Sequence, residues 1–210
     1  MSTVILRGGV EVEKPLEVAL EFLAAYSGSE ASDSSGPASF DESDLRQANR
    51  GGARISAAEI AAILERRGQI ERGLRKIHPD ASLADATSSI PWIPLRRLFD
   101  AFADIRGIGF SKMTKALHRK RPALIPMLDS VVQAYLTGDS PGTGSAGTFG
   151  ERATALVRSY KEDMDRNRSV LREVQRKLAS RDYQLTEVRI LDLLIWSRFG
   201  RGSAGPEASI

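Results

Sequence analysis

Residues 186–199, TEVRILDLLIWSRF, constrain the fold more than any other stretch, because a helix apolar on nearly every side has to be surrounded. Within its middle only Arg189 and Asp192 interrupt the apolar surface, and their i, i+3 spacing lets them pair with each other. The segment before it, 151–181, is the longest helix the sequence predicts. Along it Val157, Tyr160, Met164, Asn167, Leu171, Val174 and Leu178 recur at alternating steps of three and four. That stripe either packs within the chain or pairs with a second copy as a short dimer seam. A buried helix and a long amphipathic neighbour need more helices to cover them. The expected fold class is therefore all-α, a multi-helix globular domain.

The rest of the chain supplies those helices. Residues 3–12, TVILRGGVEV, read as a short strand or extended arm, since the glycine pair works against a helix. Pro15 suits the first turn of a helix continuing through LEVALEFLAAY. Small polar residues at 28–39 predict a mobile loop, and 40–49 a short helix. Ser56 and Glu59 have capping-box spacing ahead of a helix to about Ile77, with Ile60, Ile63, Leu64, Ile70 and Leu74 inward. Gly68 and Gly73 are its weak points, and His78-Pro79-Asp80 ends it. A proline-punctuated connector at 88–94 carries Trp92. Helices are then expected over 95–105, 111–120 and 129–136, with a second flexible loop at 138–148. We read 1–199 as one helical domain and the tail from 200 as disordered.

Composition narrows the function classes. The apolar share of 41% and charged share of 27% are those of an ordinary globular protein. No apolar run approaches the roughly 20 residues of a membrane span, and the N-terminus lacks a signal-peptide pattern. Cytoplasm is the expected location. Zero Cys removes disulfides, thiolate zinc sites, iron–sulfur clusters and cysteine nucleophiles, and two distant His make a metal site improbable. No phosphate-loop or dinucleotide fingerprint occurs, so no cofactor is expected. The net charge of +3 is small, and what matters is where that charge lies.

It gathers at 106–132, RGIGFSKMTKALHRKRPALIPMLDSVV, where six Lys/Arg fall within 106–121 without one acidic residue. Gly107 and Gly109 permit a sharp turn with no Cβ in a ligand's way. Ser111 is placed to cap the next helix, whose first N–H groups then offer an anion site. Amides near Gly107, Gly109 and Ser111 would clamp one phosphate, and Lys112, Lys115, Arg119 and Arg121 would meet its neighbours. The plainer alternative is a glycine turn joining two packed helices. His118 reads as a surface histidine, with a phosphate contact as the alternative. Asp129 either caps the helix after it or stands as a functional carboxylate.

LFDAFADIRGIGFSKMTKAL resembles the helix-hairpin-helix element of the helix-hairpin-helix DNA glycosylases. PALIPMLDSVVQAYL is similar to the segment that follows it, where that superfamily's catalytic aspartate opens a helix. Asp129 lies 18 residues after Ser111, a similar separation, and the likeness covers about 95–137. It implies duplex DNA as partner, Asp129 as the catalytic carboxylate, and Trp92, Phe99, Phe110 or Trp196 as walls for a flipped base. Ser111 stands where lyase-competent members carry lysine, which implies simple base excision. The chain departs at Arg106, where proline is usual, at Ser130-Val131 after the aspartate, and in lacking a cysteine cluster. KRPALIPMLDSVV and ILDLLIWSRF also resemble an actinobacterial family known only as a domain of unknown function. The function expected is thus DNA binding, with monofunctional base excision or a non-catalytic module on the same scaffold. From another class, a helical interaction or toxin–antitoxin-type partner would use 151–181.

Overall fold

The structure, a computed structural model, describes residues 2–25, 35–138 and 147–200. Among them the chain is all-α with one small sheet. The order is β1 (Thr3–Ile5), β2 (Glu11–Glu13), α1 (Pro15–Ala25), α2 (Glu42–Arg50), α3 (Ala57–Glu65), α4 (Arg67–Arg75), α5 (Trp92–Asp100), α6 (Phe110–His118), α7 (Ser130–Thr137), α8 (Phe149–Arg166), α9 (Arg168–Ala179) and α10 (Glu187–Phe199). The loops expected at 28–39 and 138–148 lie largely outside the described residues, as does the tail beyond Gly200. No helix among the described residues is long and apolar enough to cross a membrane.

α10 is the surrounded helix its composition demands. Val188, Ile190, Leu191, Leu193, Leu194 and Ile195 are buried, with α1, α7 and α9 packed around them. Thr186 caps it, accepting the Arg189 N–H at 3.1 Å. The expected Arg189–Asp192 pair does not form. Asp192 instead accepts the Tyr160 hydroxyl at 3.0 Å and the Met127 N–H at 3.4 Å, tying α10 to α8 and to the entry of α7.

The single helix expected over 151–181 is two, α8 and α9, broken at Asn167. The break has a cause. The Asn167 side chain accepts from Ile5 N at 2.7 Å and donates to Ile5 O at 2.9 Å, docking β1 by both its polar groups. Its neighbours in the stripe, from Val157 to Leu178, are buried in the chain's own core. That burial leaves no surface for a dimer seam on those residues.

The N-terminal segment is more than the single strand or arm expected. β1 and β2 pair antiparallel with Val4 opposite Val12, both fully buried. Arg7, between the strands, donates to Asp163 at 2.9 Å and to Ser159 O at 2.6 Å. The Tyr135 hydroxyl accepts the Arg7 N–H at 3.0 Å and donates to the same Asp163 at 2.8 Å, so the hairpin is pinned to α7 and α8.

The capping box at Ser56 and Glu59 forms in both directions. The helix it opens breaks at Arg66, before either weak glycine. α5 begins at Trp92, inside the stretch expected as connector, because Pro91 and Pro94 both fall where first-turn N–H groups have no intrahelical partner. It ends at Asp100, and turns at 101–104 lead to the glycine hairpin.

Candidate functional site

The hairpin is built from its buried residues outward. Ile105 and Ile108 are buried and joined by an Ile108 N–H to Ile105 O bond of 3.1 Å. Arg106, Gly107 and Gly109 are left facing solvent. Gly107 sits at φ +83°, which only glycine adopts without strain. The helix cap is Gly109, not Ser111 as expected, and no side chain caps the first turn of α6. By contrast α2, α3 and α8 each carry a full capping box. Nothing lies within 4 Å of where a Cβ on Gly109 would stand. The first turn of α6 therefore has N–H groups that no side chain caps, half-buried Ser111's among them, with open space on the Cβ side of Gly109.

The basic run separates into two sets. Lys112 donates to both Glu59 carboxylate oxygens, at 2.6 and 2.8 Å, and a Cβ on Gly107 would run into Glu59 Oε1. An acid from α3 thus covers one side of the hairpin and neutralises Lys112. The lysine ammonium, and then the Ser56 N–H, hold the Glu59 carboxyl below its usual range. Lys120 is buried against Asp44 at 2.6 Å. Arg121, expected at a phosphate, is 1% exposed. Its guanidinium donates to the carbonyls of Leu74, Ile77, Pro37 and Lys120, closing the C-terminal end of α4. That correction is physical: a guanidinium enclosed by main-chain carbonyls does not reach a strand. Lys115 stays near the surface, donating to Gly52 O at 3.2 Å, and Arg119 is half-buried.

His118 is no surface residue. It is partly buried, with Nδ1 2.6 Å from Ile125 O. Burial pushes its pKa down to about 4, so the neutral ring donates through Nδ1 at neutral pH. One turn earlier, the buried Thr114 hydroxyl donates to Phe110 O at 2.8 Å and accepts the Leu128 N–H at 3.0 Å. Together they fasten α6 to the 124–128 segment that delivers Asp129. Sequence reading passed over Thr114. Its signal was a polar residue on the inward face of α6, beside Met113 and Leu117.

Asp129 caps α7, accepting the Val132 N–H at 3.0 Å through Oδ1. Its other oxygen, Oδ2, accepts the Trp196 indole N–H at 2.8 Å. The residue is 8% exposed. Of the expected base-pocket walls, Trp196 alone is brought to it, as a hydrogen-bond donor. Trp92 lies under the Arg158 guanidinium at 4.1 Å, with its N–H on Thr87 O. Phe110 packs on Phe149, ring centroids 4.8 Å apart, and Phe99 is fully buried. Buried Asp192 lies close enough to feel the Asp129 charge. Burial first, with that neighbour adding to it, lifts the Asp192 pKa to about 7. Two surface clefts beside α5 are lined by other residues, and Asp129 belongs to neither.

A model of a family of unknown function (DUF6308) matches residues 20–199, most of the chain. The chain belongs to the DUF6308 family. The match bears out the resemblance to a domain of unknown function and brings no support for the glycosylase likeness. No curated protein and no solved structure matches the chain. The hairpin, Asp129 and both clefts lie within the DUF6308 span, whereas β1, β2 and the first part of α1 precede it.

Proposed function

We propose that this DUF6308 domain is a nucleic-acid-binding module that holds the phosphate backbone of duplex DNA at the 106–109 hairpin, without base excision at Asp129. The observation that carries the reading is the exposed glycine hairpin opening an uncapped helix. First-turn amides and the helix dipole favour an anion there. Arg106 is exposed beside them, and Lys115 need only give up one carbonyl to turn outward. Contacts of this type fix position on the backbone and read no sequence. The engagement of both Asp129 oxygens favours binding over chemistry, since a catalytic carboxylate needs a free face toward the sugar.

The test is fluorescence anisotropy on a short labelled duplex. Two or three neutralised phosphates give a log–log salt slope of about −2 to −3. R106E with K115E should abolish binding while leaving the circular dichroism of the chain unchanged. Hot alkali after incubation with lesion-bearing duplexes should reveal no abasic sites. Wild-type affinity in the double variant would refute the hairpin reading, and lesion-dependent breaks lost in D129N would restore base excision.

A further inference from the structure

Gly73 has a packing reason to be glycine. A Cβ there would stand 2.9 Å from Leu98 Cδ1, so α4 and α5 touch at this point. The contact gathers exposed side chains of both helices around one cleft of about 370 Å³. Gln69, Arg72 and Lys76 line it from one side, and Pro94, Arg97 and Asp100 from the other. Its size falls within the roughly 300–1,000 Å³ of small-ligand sites.

The cleft carries an excess of positive charge. Nearby, Arg67 has Glu71 at 2.8 Å and Arg96 has Glu151 at 3.1 Å. Arg72, Lys76 and Arg97 have no carboxylate within 4 Å among the described residues. The one acid in the lining, Asp100, accepts the Gly150 N–H at 2.7 Å and so serves the first turn of α8. Three cations and one carboxylate leave the cleft with a charge of +2. Cations lining one concave surface raise its positive potential and favour an anion there. Arg72 and Arg97 stand on opposite walls, and guanidiniums match phosphoryl oxygens as planar forks where a lysine acts as a point charge.

We propose that the α4–α5 cleft binds the phosphate groups of a phosphate ester, with Arg72, Lys76 and Arg97 as charged contacts and Gln69 as a neutral donor. The inference stands independently of the hairpin. Its ligand is either a nucleotide or the backbone of a nucleic acid, and the chemistry recognised is the same.

Calorimetric titration of the full chain with inorganic pyrophosphate, and with adenosine 5′-diphosphate, tests it. Wild type should bind pyrophosphate. R97Q and the R72Q/K76Q pair should each weaken binding by about tenfold or more. All three side chains are exposed, so circular dichroism should not change. The loss caused by R97Q should be the same in an R106E background, which separates this site from the hairpin. Displacement of a labelled duplex by pyrophosphate, with duplex affinity reduced in R97Q, assigns the ester to nucleic acid. Binding of adenosine 5′-diphosphate with duplex affinity unchanged in R97Q assigns it to a nucleotide. Absence of pyrophosphate binding at low salt, or binding undiminished in R72Q/K76Q/R97Q, overturns the proposal and leaves the cations as a solvated helix end.

Discussion

Replacing Arg121 by Met separates the two roles that its sequence context offers. The side chain is 1% exposed and donates to Leu74 O at 2.6 Å, Ile77 O at 2.6 and 3.2 Å, Pro37 O at 2.8 Å and Lys120 O at 2.6 Å. Leu74 and Ile77 lie at the C-terminal end of α4, where the dipole favours a cation; Leu74 O also accepts the Ile77 N–H at 3.1 Å. Burial works against the charge and lowers the proton affinity of the guanidinium. Met fills similar space and removes that desolvation cost, but strands several carbonyls. Each orphaned buried acceptor is worth about 1–3 kcal/mol, and the effects overlap, so about 3–5 kcal/mol of stability should be lost. For a chain of this size that is a fall in Tm of about 6–20 °C. Urea titration followed by far-ultraviolet circular dichroism measures it. At temperatures where R121M stays folded, its affinity for a labelled duplex should equal that of wild type. An R121M chain with wild-type stability and weakened duplex binding would refute the assignment and return Arg121 to the nucleic-acid surface.

Asp129→Ala should lose about 2–4 kcal/mol, from the missing cap of α7 and the orphaned Trp196 N–H, whereas Asp129→Asn keeps a capping oxygen and should lose less; thermal melts and indole fluorescence report both. Asn167→Ala removes two bonds to β1 and should cost about 1–3 kcal/mol, read as faster amide exchange at Ile5 than elsewhere in the core. The pH dependence has two opposed parts. His118 has a folded pKa of about 4, below its unfolded value of about 6.5, so its contribution is present above about pH 6.5 and is lost as pH falls toward 4. Asp192 has a folded pKa of about 7, above its unfolded value of about 3.9, so its contribution is present at low pH and is lost as pH rises to about 7. Asp192→Asn should therefore be more stable than wild type at pH 8 and close to it at pH 4, by urea titration; the reverse order would refute the burial argument.

Helices were legible wherever local chemistry marks them. The Ser56–Glu59 box, Pro15 in a first turn and the all-round apolar face of α10 each act over a few residues, and each is as expected. Tertiary partners were not legible. The basic run at 106–121 is a run in sequence but not a patch in space, because Glu59 and Asp44 arrive from α3 and α2 to meet Lys112 and Lys120. An arginine that closes another helix's C-terminus has the same sequence context as one that meets phosphate. Asn167 misled for a similar reason: it keeps the helical spacing of its stripe, while its bonding partner lies 162 residues away. For Asp129, the capping alternative was visible in sequence, and Trp196 as its second partner was not.

Energetics give the hairpin and Asp129 different prospects as places for a nucleic acid to act. For Asp129 to turn toward a sugar, α7 must lose its cap or Trp196 its acceptor, a loss of about 1–3 kcal/mol for either. That expense falls before any gain from flipping a base, which itself takes a few kcal/mol. The hairpin asks for much less. Gly109 already faces open space, and the first turn of α6 has no side chain to displace. The local obstacle is Glu59, a carboxylate lying against Gly107. A phosphate at the Gly109 side of the turn avoids it, while one at the Gly107 side competes with it for Lys112. On the proposed reading, backbone binding centred on Gly109 and flanked by Arg106 would therefore disturb fewer existing bonds than a contact at Asp129.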